Sequence, residues 1–218
     1  MKTLDFSIFT THFDLFLQGF LNTLKISVLG LVFSFILGVI IAVMRIAPVK
    51  VLNIFGTCYV EFIRNIPLII IIFFFYFGLS SYIDLNGFEA GTIGLSIYTS
   101  SFIAEAVRAG IQSIDKGQME AARSSGLSYL QAMRFIILPQ AIKIVIPPIG
   151  NQFINLVKNT SILTVVAGGE LMYAGDIISQ INYRIFDTYI LVGLCFLALT
   201  IPLSLFVNHL EHRLARKN

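Results

Sequence analysis

Glu120-Ala121-Ala122-Arg123-Ser124-Ser125-Gly126, with the run that follows it to Ile136-Ile137-Leu138-Pro139, decides how the chain is read. It is a polar, helix-forming insert in a strongly apolar sequence. Ala121 and Ala122 are small enough for another protein surface to approach the helix backbone. Glu120 is placed near the helix start, where a carboxylate suits the positive end of the dipole. Gly126 can take the left-handed conformation that stops a helix. Ser128 restarts one, and Gln131 three residues on completes a capping box. The spacing predicts helix, sharp turn, helix, closing at Pro139. The residues alone leave two readings open: a docking knob for a soluble partner, or an ordinary amphipathic loop helix.

Around the insert the composition is that of a membrane. Hydrophobic residues make up 56% of the 218 and charged residues 12%, with a mean hydropathy of +0.85. A soluble domain carries roughly twice that charged share. The chain reads as a single all-α integral membrane domain. Its net charge of +3 is too small to argue for nucleic acid. Cys58 and Cys195 have no metal-ligand spacing and read as buried apolar thiols. His12, His209 and His212 are scattered and read as surface or interface histidines. No metal site is predicted. The first apolar run is too long for a signal segment and lacks a small-residue cleavage site after it, so the first span is expected to stay in the membrane.

Five spans follow from the apolar runs, each near the 20 residues needed to cross. They lie at about 19–44, 59–79, 91–111, 142–166 and 188–208 within a membrane domain of 19–210. Residues 1–18, with Phe6, Phe9, Phe13 and Phe16 at helical spacing, predict an external amphipathic helix on the membrane surface. Residues 112–140 form the polar insert, residues 167–187 a loop, and residues 211–218 a basic tail. In the first span Ser27, Gly30, Ser34 and Gly38 mark a helix-packing face. At the start of the second, Glu61 and Arg64 are three apart and share a face.

The fourth span is the most polar. It carries Asn151, Gln152, Asn155, Lys158, Asn159, Thr160 and Ser161, and Asn151, Asn155 and Lys158 fall on one helical face. Facing hydrocarbon they would be costly, so they face the bundle or a water-filled path. The proposed path residues are Ser100, Glu105, Asn155, Lys158, Asn159, Thr160 and Ser161, with the alternative that these groups tie helices together. Glu105 is the one embedded carboxylate able to carry protons; a packing hydrogen bond or an ion pair is the simpler reading.

Positive charge sets the orientation. Arg45, Lys50, Arg64, Arg108, Lys116, Arg123, Arg134, Lys143, Arg213, Arg216 and Lys217 lie in segments on one side, eleven of the fifteen Lys and Arg. The other side keeps only Lys2 and Arg184. The positive-inside rule puts the N-terminus outside, and the C-terminus and the insert in the cytoplasm. No GxxxxGK[ST] phosphate loop occurs, nor HExxH, GxSxG or a Cys/His cluster, so no catalytic residue is proposed and the chain reads as a non-enzyme.

Glu-Ala-Ala, three residues, Gly, nine residues, Ile, one residue, Leu-Pro resembles the EAA loop of ABC-importer permeases. Glu120, Ala121, Ala122, Gly126, Ile136, Leu138 and Pro139 keep every spacing, a far more specific pattern than a lone glycine motif. The wider chain resembles the polar amino-acid branch (histidine, glutamate, glutamine, arginine and opine carriers). That likeness rests on Tyr59-Val60-Glu61-Phe62-Ile63-Arg64, Pro67-Leu68, Glu105, Arg108, Gly110-Ile111, Gly117-Gln118, Pro139-Gln140 and Lys158-Asn159-Thr160-Ser161. It departs from the branch at Asn65-Ile66, at Ile71, and at Ser100-Ser101-Phe102.

The resemblance implies a type I permease fold in a bacterial cytoplasmic (inner) membrane. It implies that Gly117, Gln118, Glu120, Ala121, Ala122, Arg123, Gly126, Leu138 and Pro139 form a coupling helix seated on an ATPase subunit. ATP and Mg would be bound by that partner, with no cofactor in this chain. It also implies a second permease subunit, an extracytoplasmic solute-binding protein, membrane lipid around the bundle and a polar amino-acid substrate. An ion-coupled secondary carrier is the competing class, predicting inverted repeats that the sequence lacks. A membrane scaffold without transport leaves the polar fourth span unexplained.

Overall fold

Pro67 produces the sharpest feature of the bundle. It has no N–H to donate and pushes Ile66 away from helical backbone. As a result α3 (Lys50–Arg64) and α4 (Leu68–Phe73, continued by a π turn to Gly78) meet at 105°. The span expected at about 59–79 thus coincides with the later part of a bent pair that begins at Lys50. The computed structural model describes residues 5–215, and every regular element among them is helical. Lys2, Arg216 and Lys217 lie outside the described residues.

At the start, α1 (Ser7–Thr11) and α2 (Phe13–Ile46) are separated by His12 alone. The first long helix therefore starts six residues before the expected Gly19, because nothing between Phe13 and Gly19 breaks a helix. Ile8 and Phe16 are buried with Leu171, Ile178, Leu191 and Val192. The described part of the N-terminal segment thus packs on the bundle. Further along α2, Ser27, Gly30, Ser34 and Gly38 are all buried. A Cβ on Gly38 would lie 2.7 Å from the Ile103 side chain and 2.9 Å from the Ser100 carbonyl oxygen of α5 (Gly87–Gln112). Such close approach supplies the packing that water cannot drive inside a membrane.

An Asn86–Glu89 capping box starts α5, which packs against α2, α3, α4 and α8 (Leu138–Asn159). Its hydroxyls bond to its own carbonyls, Ser96 to Thr92 at 2.6 Å and Ser101 to Tyr98 at 2.6 Å. Where α2, α4, α5 and α8 meet, Ile26, Leu68, Ile72, Leu95, Leu156 and Leu163 form the central core.

The insert comprises α6 (Lys116–Ser124) and α7 (Tyr129–Ala132). From Tyr129 the chain stays helical through a π turn at Met133–Ile137, α8 and a 3-10 stretch at Thr160–Val166. Ala167 and Gly169, at φ 53° and 71°, turn it out of the helix. The predicted loop at 167–187 instead holds α9 (Leu171–Asn182), and α10 (Ile185–Ala215) closes the chain.

By length and composition, three helices among the described residues are able to cross a membrane: Phe13–Ile46, Tyr129–Val166 and Ile185–Leu214. The bent pair makes a fourth if it counts as one span. At 26 residues α5 is long enough to cross, and it is more polar because neighbours enclose it. Cys195 is half-buried but Cys58 is exposed, which corrects the expectation that both are buried. In a membrane protein an apolar residue can face outward, so apolarity does not imply burial.

Candidate functional site

The insert folds by local rules that its residues dictate. Asp115 caps α6, its carboxylate accepting from the Gly117 N–H at 2.7 Å. Asp115 thus takes the role expected of Glu120, which sits a turn further on. Gly126, at φ 90°, ends the helix. Its N–H donates to the Arg123 carbonyl at 3.0 Å, and the Leu127 N–H donates to that of Ala122 at 3.2 Å. Ser128 and Gln131 form the expected capping box. The Arg123 guanidinium donates to the Leu127 carbonyl at 3.0 Å, so it braces the turn.

Exposure divides the alanine pair. Ala121, with Gly117, Gln118 and Glu120, faces outward. Ala122 is 6% exposed and is the one residue α6 buries, on the side packed against α7 and the π turn. Leu138 and Pro139 stand in the first turn of α8, Leu138 half-buried and Pro139 exposed. A cavity of about 490 Å³ separates α6 from the ends of α2 and α5, lined by Ile46, Ile111, Gln112, Asp115, Met119 and Met133 among others.

The second feature is the polar face of α8. Asn151, Asn155 and Lys158 are exposed, and Asn159 and Ser161 are half-buried beside them. Lys158 and Ser161 line a cavity of about 400 Å³ with Met172, Tyr189, Gly193 and Phe196. Behind it, Asp176 accepts from the Thr164 hydroxyl at 2.6 Å and from the Tyr189 hydroxyl. Thr160 and Ser100 are fully buried. Thr160 donates to the Val157 carbonyl at 2.8 Å, and the Ser100 hydroxyl lies 2.7 Å from that of Tyr59 on α3. The structure brings Lys158 and Ser161 to one cavity, leaves Asn155 exposed and Asn159 half-buried on the same helix, and buries Thr160 and Ser100 in the bundle.

Glu105 is held by two guanidiniums. One oxygen accepts from Arg45 Nη1 at 2.5 Å, and the other from Arg108 Nη2 at 2.5 Å. Glu61 and Arg64 are both exposed, and the Arg64 guanidinium lies 5.1 Å from the Phe102 ring centroid. Arg64 thus finds an aromatic face on α5. Sequence reasoning missed Arg45, Tyr59, Asp176 and Tyr189. Each bonds to a group on another helix, and no short-range spacing reports that.

At the opposite end of the bundle from α6, Glu170 is fully buried and caps α9 through the Met172 and Tyr173 N–H groups, at 2.6 and 2.9 Å. Burial pushes its carboxyl up to about 7, with the Asp176 charge adding and the two N–H bonds opposing.

The chain matches the family described as "Binding-protein-dependent transport system inner membrane component" over residues 34–216. It is 62% identical to a probable glutamine ABC transporter permease protein, GlnM, of Bacillus subtilis (strain 168), over 96% of this chain and 98% of that one. It is 36% identical to the glutamate transport system permease protein GluC of Corynebacterium glutamicum, over 92% and 94%. Among solved structures, it matches an amino acid ABC transporter with histidines at a TM-score of 0.91 and 36% identity, covering 97% of this chain and all of that one. The MetNI methionine transporter, at 22% identity and a TM-score of 0.77, shares the fold.

Proposed function

Because the chain belongs to the binding-protein-dependent transport system inner membrane component family, and is an ABC-importer permease rather than an ion-coupled carrier, we propose that it carries a polar amino acid, glutamine first, inward on the energy of a separate ATPase. ATP and Mg belong to that ATPase, and this subunit carries out no catalysis. A second permease subunit completes the path, and an extracytoplasmic binding protein delivers the solute. The chain crosses an inner membrane five times, N-terminus out and C-terminus in. The relatives' names support the substrate class, and glutamine is the solute named for the 62% identical relative.

One observation carries the reading: the outward face of α6 leads, through helix unbroken from Tyr129 to Val166, into the exposed polar face at Asn151, Asn155 and Lys158. Polar groups on a spanning helix need a polar partner or a wet path. Facing a second subunit across a path meets that need, and there the Lys158 ammonium would meet a substrate carboxylate. The test is uptake of labelled glutamine into vesicles holding the permease, its ATPase and the binding protein. Uptake should require ATP and the binding protein, and Asn155→Ala should raise the apparent KM without loss of assembly. Uptake driven by a proton gradient without ATP would sink the reading.

A further inference from the structure

Three helices are tied together at the end of the bundle that carries α6. The last turn of α2 supplies Arg45, and α5 supplies Glu105 and Arg108. From α3, Asn53 donates to the Arg45 carbonyl, and a Cβ on Gly56 would lie 2.8 Å from the Arg45 Cγ. Both oxygens of Glu105 are taken, Arg108 Nε adds a longer bond at 3.3 Å, and Arg45 is 7% exposed. Arg45 and Arg108 share Glu105, the exposed Glu61 also attracts Arg108, and the buried Arg45 Nε has no hydrogen-bond partner among the described residues. Only Arg45 is buried, Glu105 and Arg108 being 25% and 27% exposed, and apolar residues of similar volume often hold helices together at least as well as such an ion cluster does. Adhesion alone therefore does not account for it. What it supplies is fixed geometry between α2 and α5.

On the other side of the cavity the packing differs. Helix α6 packs on α7 and the π turn, with about 490 Å³ of space between it and the tied helix ends. Only Ser113 to Asp115 join α5 to α6. Helix α8 packs along α5 and α2, and tightly at Gly110, where a Cβ would lie 2.1 Å from the Val145 side chain. Arg108 also donates to Gln112, which lines the cavity. A π turn at Met133–Ile137 sits between the insert and α8, and such turns are frequent at functional sites.

We infer that Arg45, Glu105 and Arg108 are positioning residues for energy coupling: they fix the foot formed by α2, α3 and α5, so that force on α6 moves α7 and α8 against it across the cavity, about the Gly110–Val145 contact. The inference rests on α6 being the ATPase dock. Without the clamp, a push on α6 drags the foot along and is lost before it reaches the polar face.

The experiment uses the whole reconstituted transporter and reads ATP hydrolysed per solute imported. Glu105→Gln leaves the buried Arg45 guanidinium without its anion and risks misfolding. The deciding variant therefore combines Arg45→Met, Glu105→Leu and Arg108→Met, which removes the three clamp charges together and leaves Glu61 and Gln112, the other groups that face Arg108, exposed to solvent. It should insert, bind the ATPase and hydrolyse ATP, while ATP spent per solute rises about fivefold or more, the lower end of usual coupling between sites. Arg45→Lys with Arg108→Lys, which keeps the charges, should recover part of the coupling. An unchanged ratio in the triple variant overturns the inference. So does a triple variant that fails to assemble, since the cluster would then be structural only. Normal ATPase binding by an Ala121→Arg chain would instead remove the premise that α6 is the dock.

Discussion

Ala121 and Ala122 are adjacent and have opposite surroundings. One is exposed and the other is 6% exposed against its own chain. The sequence treated them as an equivalent pair, because which side of a short helix is covered depends on a segment that folds back later. Gly126 and the Ser128–Gln131 box, by contrast, were legible in full, since caps and left-handed turns obey rules spanning a few residues. At Gly126 a Cβ would meet nothing within 4 Å, so the constraint there is the backbone alone, at φ 90°. Gly126→Val should lower the stability of the insert by about 1–2 kcal/mol, the scale of the left-handed penalty for ordinary residues. Gly126→Asn, which visits that region readily, should recover most of it. Limited proteolysis of the insert in purified permease distinguishes the two; equal protection of Val, Asn and Gly forms would show that the turn is not constrained.

Among the elements, the long apolar helices were legible from hydropathy, but their ends and bends were not. Pro67 was placed inside a span, and only the structure shows the 105° bend. Helix α9 was missed because residues 167–187 read as a loop between apolar runs, whereas Glu170 is a buried cap and Asp176 accepts from Thr164 and Tyr189. The α9 corner is held to α2 by Asn22 on the Gly169 carbonyl at 2.9 Å and by the Leu171 N–H on Thr23 at 3.0 Å. Glu170 gives this corner a pH dependence. Its folded-state value of about 7 stands above the ordinary 4.5, so the folded chain keeps a proton that the unfolded chain has lost. The associated stability is full below about 4.5 and is lost as pH rises to about 7. A shift of that size corresponds to on the order of 3 kcal/mol. Glu170→Gln should flatten the melting temperature across this window and raise it at neutral pH, read by thermal unfolding in detergent from acid to neutral. A wild-type chain whose stability climbs through the same window would contradict the assignment.

At the scale of the whole molecule, charge bias and the polar α8 face are the grounds on which we propose a five-span subunit that needs a partner. Ser124 and Asn86, both exposed, stand at opposite ends of α5 and its flanking segments. With Cys58 and Cys195 first changed to Ser, Ser124→Cys should react with an impermeant thiol reagent only from the cytoplasm, and Asn86→Cys only from outside. Reaction of Ser124→Cys from outside intact cells would end the five-span topology. On the proposed function, the outward face of α6 seats an ATPase subunit and passes its movement to the helix that follows. The most direct measurement is co-purification of the ATPase with Ala121→Arg, alongside ATP-driven uptake, with Ala122→Asp as the control that disturbs the insert from within. Ala121→Arg should insert and melt like the wild type, lose the ATPase and lose uptake, whereas Ala122→Asp should also lower the stability of the insert, because a buried unpaired polar group costs roughly 1–3 kcal/mol. An Ala121→Arg chain that keeps its ATPase and imports at the wild-type rate would contradict the account.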